Sequence, residues 1–237
     1  MRRVVRGLGW LSVWLGALTL GFVVHQLWIT TWLSQLNQGD LEIERLEHFA
    51  AAVITEVEVA APPAATAPPT VEPSSPPAPA PPPVKIRQES APERHSAFAL
   101  IRVPRLERLQ EGWNVVEGVS VQDLRNGAGH MPNTPLPGQP GNAVISGHRT
   151  TYGAPFHEFD ELEPGDAIEV ETALGVHVYE VRESIVVEPT DVWVTEPRDG
   201  AWLTLTTCNP KFSARERLVV FAELVDGPNA EAIEELT

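Results

Sequence analysis

The strongest constraint on the fold is a stretch of 27 residues, 7–33, that contains no formally charged side chain. A helix of about 20 apolar residues spans the hydrocarbon core of a bilayer, so this stretch is long enough to cross a membrane. A cleaved secretory signal has a shorter apolar region followed by a small-residue cleavage site, and no clear site of that kind follows here. We therefore expect an uncleaved, single-pass membrane anchor over residues 7–33.

The charges around the apolar stretch predict its orientation. Three arginines lie in residues 1–6, whereas four acidic residues lie between positions 40 and 47. Because basic residues accumulate on the cytoplasmic side of a span, the N-terminal tail is expected in the cytoplasm. The chain that follows the span is expected outside the cell membrane.

Proline dominates a second segment. Eleven of the 22 residues 62–83 are Pro, and most of the others are Ala, Thr or Ser. Such a sequence cannot bury a core, so residues 61–95 are interpreted as an extended linker that holds a domain away from the membrane. Residues 34–60 carry Leu, Phe and Val at mixed helical spacings among acidic residues. This pattern indicates a short stalk that could extend the membrane helix.

Residues 96–225 are the part of the chain with enough apolar pattern for a folded domain, and residues 226–237 form an acidic tail. Short runs rich in β-branched and aromatic residues recur between turn signals, which is typical of an all-β barrel or sandwich. Brief helical turns are expected near 121–125, 155–162 and 191–195. The strand-like runs are 98–103, 113–116, 143–146, 167–171, 176–187, 202–207 and 218–224.

Composition excludes several classes of function. With 17 Lys and Arg against 32 Asp and Glu the formal net charge is −15, which argues against a nucleic-acid partner. A single Cys excludes an intramolecular disulfide framework and every metal site that needs several thiolates.

That single residue, Cys208, ends the strand-like run 202–208 and precedes a polar loop. A strand fixes the position of the atom and a following loop leaves it accessible, as at many functional sites. A buried, inert thiol is the alternative. The exported location and the polar neighbours favour a nucleophile.

A thiol of ordinary pKa needs a base or a cation nearby to act as a nucleophile. Of the candidate bases, His148 also ends a strand-like run, whereas His177 alternates within a strand as an ordinary face residue. His130 and His157 lie in loop or helix-start contexts, for which we expect surface roles. Arg217 follows the Cys by nine residues, so a hairpin would return it beside the thiol; a solvated arginine at a strand start is the alternative.

Three separated motifs resemble one known family. Residues 204–208 (TLTTC), Arg217 and residues 146–156 (SGHRTTYGAPF) together are similar to the sortases, membrane-anchored cysteine transpeptidases of bacterial surfaces. Residues 206–214 (TTCNPKFSA) and 138–142 (GQPGN) resemble the actinobacterial class E group most. The resemblance implies a mainly β fold, an eight-stranded β-barrel with short helices, preceded here by the membrane helix and the Pro-rich linker.

The resemblance also implies roles for residues. The nucleophile falls on Cys208, the catalytic His on His148 and the catalytic Arg on Arg217. Asn209 stands where many class E members have His. Arg215 shares strand parity with Arg217, and the family spacing favours the latter. Weaker candidates for substrate contacts are Thr207, Thr150 and Tyr152.

The implied reaction cleaves a C-terminal sorting signal resembling LPxTG, or LAxTG, between Thr and Gly through a thioester on Cys208. His148, as an imidazolium, would protonate the leaving amine, and Arg217 would bind the substrate carbonyl or the oxyanion. The partners are surface proteins that carry such signals, with a wall-precursor amine or a pilin lysine as acceptor. No metal and no cofactor is required.

Other readings of the same residues are an L,D-transpeptidase, a hydrolytic cysteine peptidase or a non-catalytic anchored β-domain. The first typically carries an S-x-G-C-x-R element, which this chain lacks. The non-catalytic alternative differs in that blocking Cys208 should cost it nothing.

Overall fold

The computed structural model describes residues 2–59 and 83–236, and its folded part is a closed barrel behind a long N-terminal helix. A single π-helical turn, His25–Ile29, separates the first two helices. The elements in chain order are α1 (Arg2–Val24), α2 (Thr30–Ala51), β1 (Ile54–Val59), β2 (Val84–Glu89), β3 (Ala97–Arg102), β4 (Trp113–Glu117), α3 (Val121–Asn126), β5 (Ala128–His130), β6 (Gly141–Ser146), β7 (Ala167–Thr172), β8 (Gly175–Val187), β9 (Ala201–Asn209), β10 (Glu216–Asp226) and α4 (Ala230–Glu234).

Eight strands close the barrel in the order β10, β8, β7, β3, β4, β5, β6, β9. The pairs β4 with β5 and β6 with β9 are parallel, and the other neighbours are antiparallel. Alternation along each strand sends one set of side chains into a continuous apolar core, to which β9 contributes Leu203 and Leu205. The expected eight-stranded, mainly β barrel with short helices is confirmed.

The seven strand-like runs of the sequence all correspond to barrel strands, and the eighth strand, β5, was missed. It has three residues, one of them Gly, which is too short for a period of two to be visible. The helical turn expected near 121–125 is α3, which Ser120 caps in a capping box with Asp123.

The helix α2 packs along the outside of the barrel. Ser34, Gln38, Leu41 and Arg45 lie on one face of α2, at spacings of four, three and four residues. Leu41 is buried in a small cluster with residues of β3 and β4, and the Arg45 Nε donates a 2.9 Å hydrogen bond to the Asn114 Oδ1. The stalk is therefore docked on the domain.

The strands on either side of the Pro-rich segment are neighbours in the structure. The strands β1 and β2 pair antiparallel, with Val59 opposite Val84, so the length of the Pro-rich segment adds nothing to the separation between membrane and barrel. The linker expected over 61–95 thus contains a strand, which the sequence did not suggest because a long Pro-rich stretch separates the two partners; residues 60–82 lie outside the described residues. The backbone N–H of Arg87 donates to Asn229 Oδ1 at 2.9 Å, which attaches β2 to the barrel.

The expected acidic tail, 226–237, contains the short helix α4. Ile233 of α4 is buried against Ile86 of β2 and Ala201 of β9. A five-residue helix has too few turns to show an apolar period in the sequence.

Candidate active site

Three neighbouring strands bring the residues of the sequence motifs to one end of the barrel. In the parallel pair β6 and β9, Ser146 lies opposite Thr206, so His148, two residues past the end of β6, is level with Cys208. In the antiparallel pair β9 and β10, Cys208 lies opposite Arg217. The structure thus places Cys208, His148 and Arg217 at the same end of adjacent strands.

Backbone and hydroxyl contacts fix the start of the His148 loop. The N–H of Gly147 donates to the Thr206 carbonyl at 3.1 Å, and the Thr207 hydroxyl donates to the Gly147 carbonyl at 2.8 Å. Thr207 is buried, and its side chain ties β9 to the residue that precedes His148.

Cys208 is a partly buried free thiol on the outward face of β9, the face that alternation also gives to Thr206. Arg217 is partly buried opposite it, and its Nη1 donates to the carbonyls of Ala214 and Glu216 at 3.0 Å each. Arg215 is exposed in the preceding loop.

The imidazole of His148 is mostly enclosed. Within the described part of the chain, its buried Nε2 has no hydrogen-bond partner. Its ring lies 5.0 Å from the ring of Tyr152, centroid to centroid. Burial, together with the positive charge of Arg125, lowers the pKa of His148 below its ordinary 6.5. The resting imidazole is therefore mainly neutral at pH 7.

Arg149 lies at the same end of the barrel, although the sequence reasoning did not single it out. Its side chain is 3% exposed, and its Nη1 donates to the Cys208 carbonyl at 3.2 Å and to the Asn209 Oδ1 at 2.5 Å. Its Nη2 lies 3.0 Å from Asp160 Oδ1, and the same oxygen lies 3.2 Å from Lys211 Nζ. The position of Arg149 directly after His148 could have marked it as a site residue in the sequence. Its burial, however, follows only from the folded structure.

The weaker substrate candidates lie in different settings. Thr207 is buried as described, and Thr150 is partly buried in the loop after His148. Tyr152 occupies a left-handed backbone conformation, with φ of 53°, against the His148 ring.

A small cavity of about 200 Å³ lies on the outer face of the sheet beside this end. Its floor includes Thr206, Arg217 and Val219. Residues 188–195, the loop after β8, form the opposite wall, and Val194 of that loop packs on Val219. Such a volume fits one or two amino-acid side chains.

The other candidate histidines lie elsewhere. The surface role expected for His130 is wrong: it is 1% exposed, with Nδ1 2.6 Å from Glu117 Oε2 and Nε2 3.0 Å from the Pro135 carbonyl oxygen. The reason is that it belongs to β5, the strand that the sequence did not reveal. His177 is fully buried, and burial lowers its pKa to about 4. His157 Nδ1–H donates to the Arg149 carbonyl at 2.8 Å.

Across residues 2–59 and 83–236, no group of three or more His, Cys, Asp or Glu side chains is arranged to hold a metal ion.

Comparison with known proteins places this geometry in context. The protein-family model described as "Sortase domain" matches residues 101–225. Sortase SrtE1 of Streptomyces coelicolor is 33% identical over 156 residues, which cover 59% of this chain and 44% of that protein. Sortase D of Bacillus subtilis is 31% identical over 139 residues, covering 56% of this chain and 67% of the relative.

Solved structures agree with the sequence comparison. The structure of sortase E from Streptomyces avermitilis superimposes with a TM-score of 0.52 and 36% identity, covering 56% of this chain and 91% of that one. The aligned part of this chain thus spans less than half of the Streptomyces coelicolor relative and nearly all of the solved Streptomyces avermitilis sortase E structure.

Proposed function

Because this chain belongs to the sortase family, we propose that it is a membrane-anchored cysteine transpeptidase acting on C-terminal sorting signals. The substrate class is a signal resembling LPxTG or LAxTG, cleaved between Thr and Gly. The observation that carries the proposal is the register that brings Cys208, His148 and Arg217 together beside a cavity that fits one or two side chains.

The first acyl transfer begins at the thiol. Because burial keeps His148 mainly neutral, the imidazole serves as the base that accepts the proton of Cys208 as sulfur attacks the Thr carbonyl. When the tetrahedral intermediate breaks down, the same proton passes from His148 to the leaving glycine nitrogen. The carbon–nitrogen bond breaks, and a thioester with Cys208 remains. His148 is thus an imidazolium at the point where it protonates the leaving amine, as the resemblance implies.

Arg217 supports the oxyanion. It lies opposite Cys208, and it carries a permanent charge on a planar donor fork. The cavity next to it has apolar walls from Val192 and Val219 as well as the Ser146 and Thr206 hydroxyls, which are 2.7 Å apart. We assign it to the residues of the sorting signal that precede the scissile bond.

The second transfer returns the acyl group to an amine. His148 removes a proton from the incoming amine, nitrogen attacks the thioester carbonyl, and the thiol is regenerated. The acceptor class is an amine of a cell-wall precursor or a pilin lysine.

The anchor is the helix α1. Within the described residues, one helix, over Arg3–Val24, is long and apolar enough to cross a membrane. The arginines in its first turns and the acidic residues after residue 39 support a cytoplasmic N-terminus and a catalytic domain outside the cell membrane.

The test uses purified full-length protein, an LAxTG or LPxTG peptide and a glycine-based amine. Wild type is expected to form a thioester adduct visible by intact-protein mass spectrometry and to yield the transpeptidation product. Cys208→Ala should lose both while retaining its circular dichroism spectrum. Product formation above background by Cys208→Ala would contradict the proposal, and release of the peptide only to water would indicate a hydrolase.

A further inference from the structure

The catalytic end of the barrel lies at the membrane end of the docked helix. Ser34, near the start of α2, donates its hydroxyl hydrogen between the carbonyls of Tyr152 and Arg125, at 3.1 and 3.2 Å. The ring of Tyr152 lies against that of His148. One residue therefore separates the N-terminal helix from the proposed catalytic base.

The opposite end of the barrel is the distal one. Ala201, at the start of β9, packs against Ile86 of the β1–β2 pair. Cys208 lies seven residues further along β9, about 23 Å away at 3.3 Å per residue. The helix α2 thus runs from the catalytic end towards the far end, where the β1–β2 pair is attached.

Helix geometry gives the height of the catalytic end. Trp28 lies 20 residues after Leu8, which is a rise of about 30 Å along the helix, the thickness of the hydrocarbon core. Trp28 and Trp32 are 65% and 59% exposed, as aromatic residues at a membrane interface are. Ser34 is about 9 Å beyond Trp28 along the helix, near the outer limit of a headgroup layer about 5–8 Å thick.

A cavity of about 440 Å³ lies between helix and barrel at this height. The helix contributes polar side chains and the barrel one cation. Among the described residues that line it, none is acidic, although the whole chain has a net charge of −15. The lining residues that matter here are His25, Gln26, Thr30, Asn37, Arg125 and Asn126.

The guanidinium of Arg125 is available in this cavity. It lies over the ring of Tyr152, 5.5 Å from the centroid, and within the described part of the chain no carboxylate is in ion-pair range. A planar donor fork at headgroup depth, surrounded by neutral hydrogen-bonding side chains, matches a phosphate in charge and geometry.

We propose that this cavity binds the phosphate of an anionic membrane phospholipid, so that the barrel rests with its catalytic end on the outer leaflet. The inference rests on the membrane anchoring proposed above and is independent of the chemistry at Cys208. In this orientation the thiol of Cys208 lies close to the outer membrane surface, where a membrane-attached substrate emerges from the bilayer.

The binding test uses full-length protein released from phosphatidylglycerol-containing nanodiscs and measured by native mass spectrometry. Wild type should retain a bound phosphatidylglycerol, and Arg125→Glu should bind it about tenfold more weakly, as expected for loss of a charged hydrogen-bond partner. Arg94→Glu is the matched control, because Arg94 is exposed outside the cavity. Equal retention in both variants would overturn the proposal, as would complete displacement of the lipid by millimolar inorganic phosphate, which would assign the cavity to a free anion.

The orientation test measures depth. In a Cys208→Ala background, a fluorophore on Asn126→Cys should be quenched strongly by lipids that carry a spin label on the headgroup. The same fluorophore on Val225→Cys, exposed at the distal end, should be quenched weakly. Equal quenching would refute the orientation. Extraction of the protein from membranes by carbonate would instead refute the anchoring, so the two failures are distinguishable.

Discussion

At the scale of single residues, burial affects the two neighbours His148 and Arg149 of the candidate site differently. His148 is mostly enclosed and has a lowered pKa, whereas Arg149 is a buried cation with oxygen partners at the end of β9 and on Asp160. We therefore propose different roles for these two neighbours in the sequence: His148 exchanges a proton, and Arg149 holds the end of β9 in place.

The pH dependence of kcat/KM should report the environment of His148. The neutral imidazole accepts the thiol proton, so activity should persist at pH 6.5 and fall only as pH drops through the lowered pKa. Arg125→Met removes a neighbouring positive charge and should move the acid limb towards higher pH. Peptide kinetics between about pH 5 and pH 8 measure the acid limb of wild type and of Arg125→Met. Arg94→Met is the control. An acid limb above 6.5 in wild type would contradict the assignment.

The two arginines near the end of the active-site hairpin should differ sharply. Arg217→Ala should reduce kcat/KM by about 10²–10³, as the loss of one oxyanion donor does, and Arg217→Lys should recover little. Arg215→Ala should remain near wild type because Arg215 is exposed in the loop. Transpeptidation kinetics on folded variants decide this. A severe defect at 215 with a mild one at 217 would reverse the assignment.

Arg149→Met should lower the free energy of unfolding by about 2–4 kcal/mol, because it leaves the oxygens of Cys208 and Asn209 without their buried donor. Arg182→Met is the control: Arg182 pairs with Glu223 at 2.9 Å on the surface, where an ion pair contributes about 0–1 kcal/mol. Urea denaturation compares the two. Equal losses would show that Arg149 has no special structural weight.

At the scale of elements, α2 combines two roles. It continues the proposed membrane helix, and its inner face docks on β3 and β4 through Leu41 and Arg45. The same helix contacts the Tyr152 loop through Ser34, so its docking positions a neighbour of His148.

Leu41→Ala should weaken that docking by about 2 kcal/mol, or about thirtyfold in the docking equilibrium. Leu41 is 8% exposed, whereas Leu46 on the same helix is 52% exposed and supplies the matched control. Amide hydrogen exchange in α2 should accelerate accordingly in Leu41→Ala and change little in Leu46→Ala. The same acceleration in both would mean that the apolar contact does not hold the helix.

At the scale of the whole molecule, two attachments hold the barrel to the N-terminal region. One is the docked face of α2, and the other is the β1–β2 pair with its six registered residue pairs. The covalent path through the Pro-rich segment joins two strands that are already neighbours.

A protease site inserted between Thr70 and Val71 tests this arrangement. After complete cleavage the barrel should stay in the membrane pellet under native conditions, because α2 and β1 still hold it, and urea should release it. Centrifugation and gel analysis of the fragments provide the measurement. Immediate release of the barrel into the supernatant would show that only the covalent Pro-rich segment attaches it to the membrane helix.

Much of the architecture follows from local sequence pattern. The apolar stretch, seven of the eight barrel strands and the strand-end positions of Cys208 and His148 are visible because periods, turn residues and charge runs act over a few neighbouring residues. The position of Arg217 follows from hairpin length, and the β10 register agrees with it. The catalytic roles of these residues stay predictions that the proposed kinetics test.

Local sequence pattern thus established the mainly β domain, the apolar N-terminal helix and the candidate nucleophile, base and arginine. Tertiary structure alone decided the three-residue strand β5, the pairing of β1 with β2, the burial of Arg149 and the docking of α2 beside Tyr152. The physical reason is range. Each of these features depends on contacts between residues far apart in the chain, and their stability comes from a closed barrel and buried partners that no local pattern encodes.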